Sequence, residues 1–234
     1  MSKKEQLKIV LPPVVALCYN SLVYWGAPFL AAGRKAHDLT VSLDASVPFV
    51  PAMVIVYFGC DLFWAVNYVI MAFQEETCRY QFFTAEILAK TVCFLFFVFY
   101  PTTNVRPELT GNSIWIRCMM LLYAVDKPVN LFPSIHCLVS WFSCIGLKRC
   151  PKVPAWYRWA SYGMALLVFF STLATRQHVL WDVVGGVAVA EIMWLISCRT
   201  KVWKPYQKAI EGIADKLSKR IERLNHGKQK EDAV

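Results

Sequence analysis

Apolar residues fall along this chain in long continuous runs, not in alternation, and the runs predict helices. They cover about residues 8–31, 49–73, 82–100, 134–149, 155–175 and 178–199. Allowing for tilt, each suffices to carry a helix across a hydrocarbon core, which takes roughly 20 residues. Backbone amides and carbonyls inside lipid must bond within their own segment, so such runs specify helices, and the lack of period-two alternation excludes a barrel. The expected fold class is all-α, an integral membrane bundle of about six transmembrane helices over residues 1–199. A basic tail follows over 200–234.

Two weaker patterns lie between and after these runs. The 101–133 connection holds an apolar piece from Ile114 to Val125, interrupted by Arg117 and too short to span, which predicts a surface or re-entrant helix. In the tail, Tyr206, Ile210, Ile213, Leu217, Ile221 and Leu224 recur three or four apart among lysines and glutamates. That spacing makes an amphipathic helix, expected to rest on the inner leaflet, with self-association into a homo-oligomer as its alternative use.

Composition strengthens the membrane reading, since 57% of the residues are hydrophobic and only 18% charged. Runs this evenly spread are not one targeting signal, so the first is expected to be retained. The net charge of +9 suggests nucleic acid at first sight. The basic residues, however, gather at Lys3, Lys4 and Lys8, at Lys148, Arg149, Lys152 and Arg158, and in the tail, where topology explains them better. By the positive-inside rule these segments are cytoplasmic, both termini included, and the 32–48, 101–133 and 176–177 connections lie outside. The plasma membrane is the expected location. The nine cysteines contain no C-x-x-C pair and read as small buried hydrophobes, a Cys118–Cys137 bridge being the alternative. Asp61, Glu86 and Lys90 fall inside spans, where charges are costly, and are expected to neutralise one another. Gly185, Gly186, Ala188 and Ala190 give the last span a small surface for close packing.

Of four histidines, His136 and His178 fall at the outer ends of different spans. Asp182 follows His178 at i+4, close enough on a helix to touch it and fix its tautomer. A carboxylate one turn inside an apolar helix demands such a partner. His136 sits in Phe132-Pro133-Ser134-Ile135-His136, where a proline-led helix start turns Ser134 and the following amides toward an anion. Arg106 and Arg176 come from the same side of the membrane, and guanidinium groups hold phosphate oxygens two at a time. Lys127 adds charge nearby. Histidines beside a carboxylate, with arginines and a helix N-terminus at hand, suit attack on a phosphate ester.

The residues Arg106-Pro107, Pro133-Ser134-Ile135-His136, and Ser171-Thr172 followed by His178 and Asp182 resemble, in order, the three motifs of the type 2 phosphatidic acid phosphatase superfamily. Those motifs are an arginine-proline pair, Pro-Ser-Gly-His and Ser-Arg-x5-His-x3-Asp, around a six-helix core. The resemblance covers about residues 85–195. It implies that His178 attacks phosphorus to give a phosphohistidine, that Asp182 orients it, and that His136 protonates the leaving oxygen, with no metal or cofactor required. A lipid phosphate would be the substrate. Three positions depart from the pattern: Phe99 stands for a lysine, Ile135 for a glycine and Thr172 for an arginine. Arg176-Gln177-His178 and the stretch from Asp126 to Asn130 are similar instead to the sphingomyelin and inositol phosphorylceramide synthase branch, in which an alcohol accepts the phosphoryl group.

Two other readings use the same residues. His136, His178 and Asp182 suit a two-histidine, one-carboxylate metal site, which leaves Arg106 and Arg176 without a role. A non-catalytic lipid-binding or transport protein is the other, favoured by the missing lysine and arginine.

Overall fold

The computed structural model describes residues 1–231, with side chains through Asn225. Residues 232–234, the end of the expected tail, lie outside the described residues. Eight α-helices make up the described chain: α1 (Lys3–Leu30), α2 (Val54–Ala72), α3 (Glu76–Phe99), α4 (Ile114–Val125), α5 (Ile135–Leu147), α6 (Ala155–Ala174), α7 (Leu180–Arg199) and α8 (Trp203–Glu231). The all-helical class follows from the sequence pattern, and the apolar runs coincide with helices to within a few residues.

Four helices are both long and apolar enough to cross a membrane: Lys3–Leu30, Pro51–Ala72, Glu76–Phe99 and Leu180–Arg199. The runs at 134–149 and 155–175 fall short for different reasons. α5 has only 13 residues, about 20 Å at 1.5 Å per residue, because Pro133-Ser134 starts it late and Leu147 ends it early. α6 has 20 residues but carries Arg158, Ser161, Ser171, Thr172 and, in its first two turns, four tyrosine or tryptophan side chains, which lowers its apolarity.

α5 is the centre of the bundle, packed by α2, α3, α6 and α7. Its residues from Cys137 to Ser140 and from Phe142 to Leu147 are all buried, as expected of a helix that is apolar on every side. The hydroxyls it carries are satisfied locally: Ser143 donates to the Val139 carbonyl at 3.1 Å, and Ser140 accepts from the Trp64 indole at 2.9 Å. α7 crosses close to the start of α5 through Gly185 and Gly186. A Cβ on Gly186 would stand 2.6 Å from the Ser134 carbonyl oxygen, and one on Gly185 would stand 2.5 Å from the Phe132 ring. The small surface expected on the last span is therefore used at these two positions.

The connections 31–53, 100–134 and 175–179 meet at one end of the bundle. A short parallel pairing of His37 with Thr102 and Asp38 with Thr103 joins the first two. Val50 N–H donates to the Ala174 carbonyl at 3.0 Å, which brings in the end of α6. At the opposite end, α8 does not lie free. It runs antiparallel to the start of α1, with Lys4 on Asp215 at 3.1 Å, Lys8 on Glu211 at 3.6 Å and Tyr206 donating to the Pro12 carbonyl at 3.4 Å. Ile210 and Ala214 are buried there, whereas Ile213, Leu217 and Leu224 stay exposed. The expected leaflet-facing stripe is thus divided between two faces, one already covered by the chain itself.

All nine cysteines are free, Cys118 and Cys137 included. The three charges expected to neutralise one another do not meet. Lys90 and Glu86 pair at 2.7 Å, sealed in the core, and the Tyr68 hydroxyl bridges them, donating to Glu86 at 2.8 Å and accepting from Lys90 at 2.9 Å. Asp61 faces away, because its position on α2 points toward α1 and α4 and not into α3.

Gly186→Ala is expected to destabilise the protein by about 1–3 kcal/mol, since the obstructing atom is backbone and cannot rotate aside. Gly163→Ala, with open space around its Cβ, is expected to be neutral or slightly stabilising. Thermal unfolding of both variants in the same detergent measures the difference, and equal midpoints would contradict the close approach of α7 to residue 134.

Candidate active site

His178 lies just before α7, with Val179 as the helix N-cap. Its Nδ1 stands 3.1 Å from Asp182 Oδ2. An ionised carboxylate only accepts, so Nδ1 carries the proton and Nε2 is left with its lone pair. The same carboxylate oxygen accepts from the Val179 amide at 2.9 Å, while the Asp182 carbonyl accepts from Ser134 N–H at 3.0 Å. Asp182 therefore fixes the imidazole, caps its own helix and ties α7 to the start of α5. The helix begins two residues later than the i+4 argument assumes, yet the expected contact forms.

His178 is 7% exposed, and that surface is shared between two cavities. One, of about 400 Å³, is built from the connections and lined by Thr40, Asp44, Asn104, Arg106, Arg176 and Val179 among others. The second, of about 310 Å³, lies among α1, α2, α4 and α5 and is lined by Tyr24, Tyr57, Asp61, Trp64, Asp126, His136 and Gln177 among others. These are called the loop-side and helix-side cavities.

His136 occupies the helix-side wall, its ring centroid 5.8 Å from that of His178 and 4.4 Å from that of Tyr57. Tyr57 donates its hydroxyl proton to Asp126, as does Tyr24. The Tyr57 oxygen is then the acceptor for His136 Nδ1, 3.5 Å away, which leaves His136 Nε2 toward the cavity. Each histidine is thus backed by a carboxylate, His178 directly and His136 through a tyrosine.

Arg106 lies on the loop-side wall, held by the Asp126 carbonyl and the Gln177 side-chain oxygen, both at 2.6 Å, and over the Tyr123 ring at 4.6 Å. Burial pulls its guanidinium below the ordinary arginine value, against the opposing pull of Asp126 and Tyr123. Burial likewise pushes Tyr123 up to about 12, so its hydroxyl stays protonated and donates to the Thr175 carbonyl at 3.0 Å.

Three expected site residues serve other ends. Arg176 lines the loop-side cavity, but its terminal nitrogens donate to the Asp44 and Val47 carbonyls at 2.8 and 2.7 Å. It fastens the 42–47 turn to the cavity wall from a left-handed backbone position, φ 56°. Ser134 is fully buried, with its hydroxyl accepting from Cys137 N–H at 3.3 Å, as a helix cap. It lines neither cavity. Lys127 is exposed and lines neither cavity. The departures from the family pattern also have structural places. The Thr172 carbonyl accepts from both Gln177 and His178 amides, at 3.0 and 3.1 Å, and Phe99 is 65% exposed on the bundle's outer surface.

Several site residues are not evident from sequence spacing. Asp44 takes the Leu180 amide at 2.8 Å and the Val41 amide at 2.8 Å, so the 42–47 turn caps α7 from outside. Tyr24, Tyr57 and Gln177 join the site from separate helices and a turn. His136, His178 and Asp182 do not converge as a ligand set, since Asp182 lies behind His178. Among the described residues no three His, Cys, Asp or Glu side chains gather in an arrangement that could hold a metal ion.

Comparison with protein-family models, curated proteins and solved structures finds no match to this chain.

Arg176→Lys keeps the charge but loses the two-pronged contact, because one ammonium cannot reach two carbonyls as the planar fork does. Amide exchange across residues 42–47 is expected to accelerate by about ten- to hundredfold, as the loss of one charge-assisted bond implies. Exchange measured by mass spectrometry reads this directly. Unchanged rates would mean that the turn is held without Arg176.

Proposed function

We propose that this protein is a membrane-embedded lipid phosphatase or phosphotransferase that cleaves a phosphate ester through a phosphohistidine on His178. The observation that carries the reading is the His178–Asp182 contact at 3.1 Å, with the free Nε2 facing a space shared with a second carboxylate-backed histidine. Arg106 lines the adjoining cavity, where its guanidinium charge would balance a phosphate. The motif resemblance to the type 2 phosphatidic acid phosphatases points the same way.

In this mechanism the phosphoryl group sits against Arg106 in the loop-side cavity. His178 Nε2 bonds to phosphorus as the ester P–O bond breaks, and the leaving oxygen takes the Nε2 proton of His136, which enters this step as the imidazolium with its Nδ1 proton on Tyr57. In the second step water or an alcohol bonds to phosphorus, the N–P bond breaks, and the proton of the incoming hydroxyl returns to His136. Asp182 stabilises the positive charge that builds on His178. Arg176 acts on the cavity wall, through the 42–47 turn, and not on phosphate.

The membrane arrangement belongs to the same proposal. α5 starts at the end that holds the site and runs to the basic 148–158 connection, and α6 returns, so these two complete six crossings although α5 is short. The basic residues at Lys3, Lys4, Lys148 and Arg149 share the far end, which places it in the cytoplasm, with both termini, by the positive-inside rule. The site then faces outward across the plasma membrane.

His178→Ala is expected to lower phosphate release or transfer by about 10³-fold or more. His136→Ala is expected to lose about 10²- to 10⁴-fold with an alkyl phosphate but much less with an activated aryl phosphate, whose oxygen leaves without a proton. Both are read as turnover in detergent. Substantial turnover by His178→Ala would end the nucleophile assignment, and equal losses on the two substrates would end the acid assignment for His136.

A further inference from the structure

The two cavities that meet at His178 differ in charge. The loop-side wall carries Arg106 and Arg176 against one carboxylate, Asp44, whose two oxygens take the Leu180 and Val41 amides, whereas the helix-side wall carries Asp61 and Asp126 and no lysine or arginine. A phosphate dianion is drawn to the first and repelled from the second. The helix-side space is therefore left for the part of the substrate on the other side of the phosphorus, the alcohol.

Gln177 stands on that wall, beside the nucleophile. It is 1% exposed, its Oε1 accepts from Arg106 at 2.6 Å, and its Nε2 has no partner among the described residues. The Arg106 contact decides the orientation of the carboxamide: the oxygen must face the guanidinium, so the NH₂ points away from it, on a residue that lines the helix-side cavity. The Gln177 and His178 amides share the Thr172 carbonyl, which holds donor and nucleophile in one rigid turn. A buried donor without a partner is costly, and this one belongs to the residue next to the nucleophile in the cavity wall.

We infer that the helix-side cavity is the alcohol subsite and that Gln177 Nε2 donates a hydrogen bond to the alcohol oxygen. This rests on the phosphohistidine reading above. The same contact serves both directions: it holds the ester oxygen as the P–O bond to the leaving alcohol breaks, and it holds an incoming hydroxyl while the N–P bond breaks and the hydroxyl proton passes to His136. Gln177 thereby sets how well an alcohol competes with water for the phosphoryl group.

The test uses full-length protein in detergent, an aryl phosphate as donor and glycerol as the added alcohol. The ratio of glycerol phosphate to inorganic phosphate is measured against glycerol concentration. Both products arise from one intermediate, so the ratio does not depend on how much protein is folded. The wild-type ratio is expected to rise in proportion to glycerol, because a bound alcohol displaces the attacking water. Gln177→Glu keeps the acceptor for Arg106 but replaces the donor, and its ratio is expected to fall by about tenfold or more, since a site built around a hydrogen bond discriminates strongly when it is lost. Gln177→Met, which removes both groups, is expected to fall likewise. A wild-type ratio in Gln177→Glu would overturn the inference and leave Gln177 as a support for Arg106. No glycerol phosphate at any glycerol concentration would overturn the alcohol subsite while phosphate release upholds the phosphatase reading. No turnover of any phosphate ester by the wild type would overturn both.

Discussion

Asp182 is a carboxylate with no exposed surface in the first turn of an apolar helix, and two donors converge on its Oδ2. Burying a charge in these surroundings is expensive unless every nearby donor is directed at it. The His178 ring nitrogen and the Val179 amide both are, and the backbone carbonyl of the same residue receives Ser134 N–H. One residue thus determines the tautomer of His178, the start of α7 and the docking of α5. Removing it would leave an imidazole without orientation and two helix ends without their tie.

The close approach at Gly185 and Gly186 makes that tie geometrically feasible. α5 begins against α7 with no side chain between their backbones, which brings His136, one residue into α5, to within 5.8 Å of His178. The centre of the bundle is therefore a short buried helix, and the longer helices α2, α3, α6 and α7 enclose it. The connections then close over the end of the bundle, with Arg106 and Arg176 each bound to carbonyl oxygens of neighbouring turns. Charge is sorted as a result: both arginines stand on the loop-side wall, where the one carboxylate, Asp44, is taken up by backbone amides, two carboxylates stand on the helix-side wall, and His178 lies at the boundary.

Much of this was legible from sequence where the determining contacts are local. The i+4 spacing of His178 and Asp182 and the apolar runs are properties of neighbouring residues, and the structure reproduces both. The contacts of Tyr24 and Tyr57 with Asp126 span 102 and 69 residues, and no local pattern encodes them. Arg176 and Ser134 find partners other than those their residue types suggest, for one reason. Cationic and hydroxyl side chains near a site suggest substrate binding, but backbone carbonyls and a helix N-terminus nearby take them first. Asp61 and Lys90 lie at similar depth, yet depth does not fix direction around a helix axis, and Lys90 finds Glu86 on its own helix. The amphipathic stripe of α8 was visible; that α1 would cover half of it was not, because the matching charges on Lys4 and Lys8 lie two hundred residues earlier.

The account depends on a covalent bond between phosphorus and His178, so the most direct measurement is to trap it. Protein is mixed with a ³²P-labelled lipid phosphate, quenched in alkali after a brief interval, digested and mapped by mass spectrometry. The account predicts a label that is stable to alkali, lost in acid and located on His178. Steady turnover with no labelled peptide, or with the label on another residue, would contradict it.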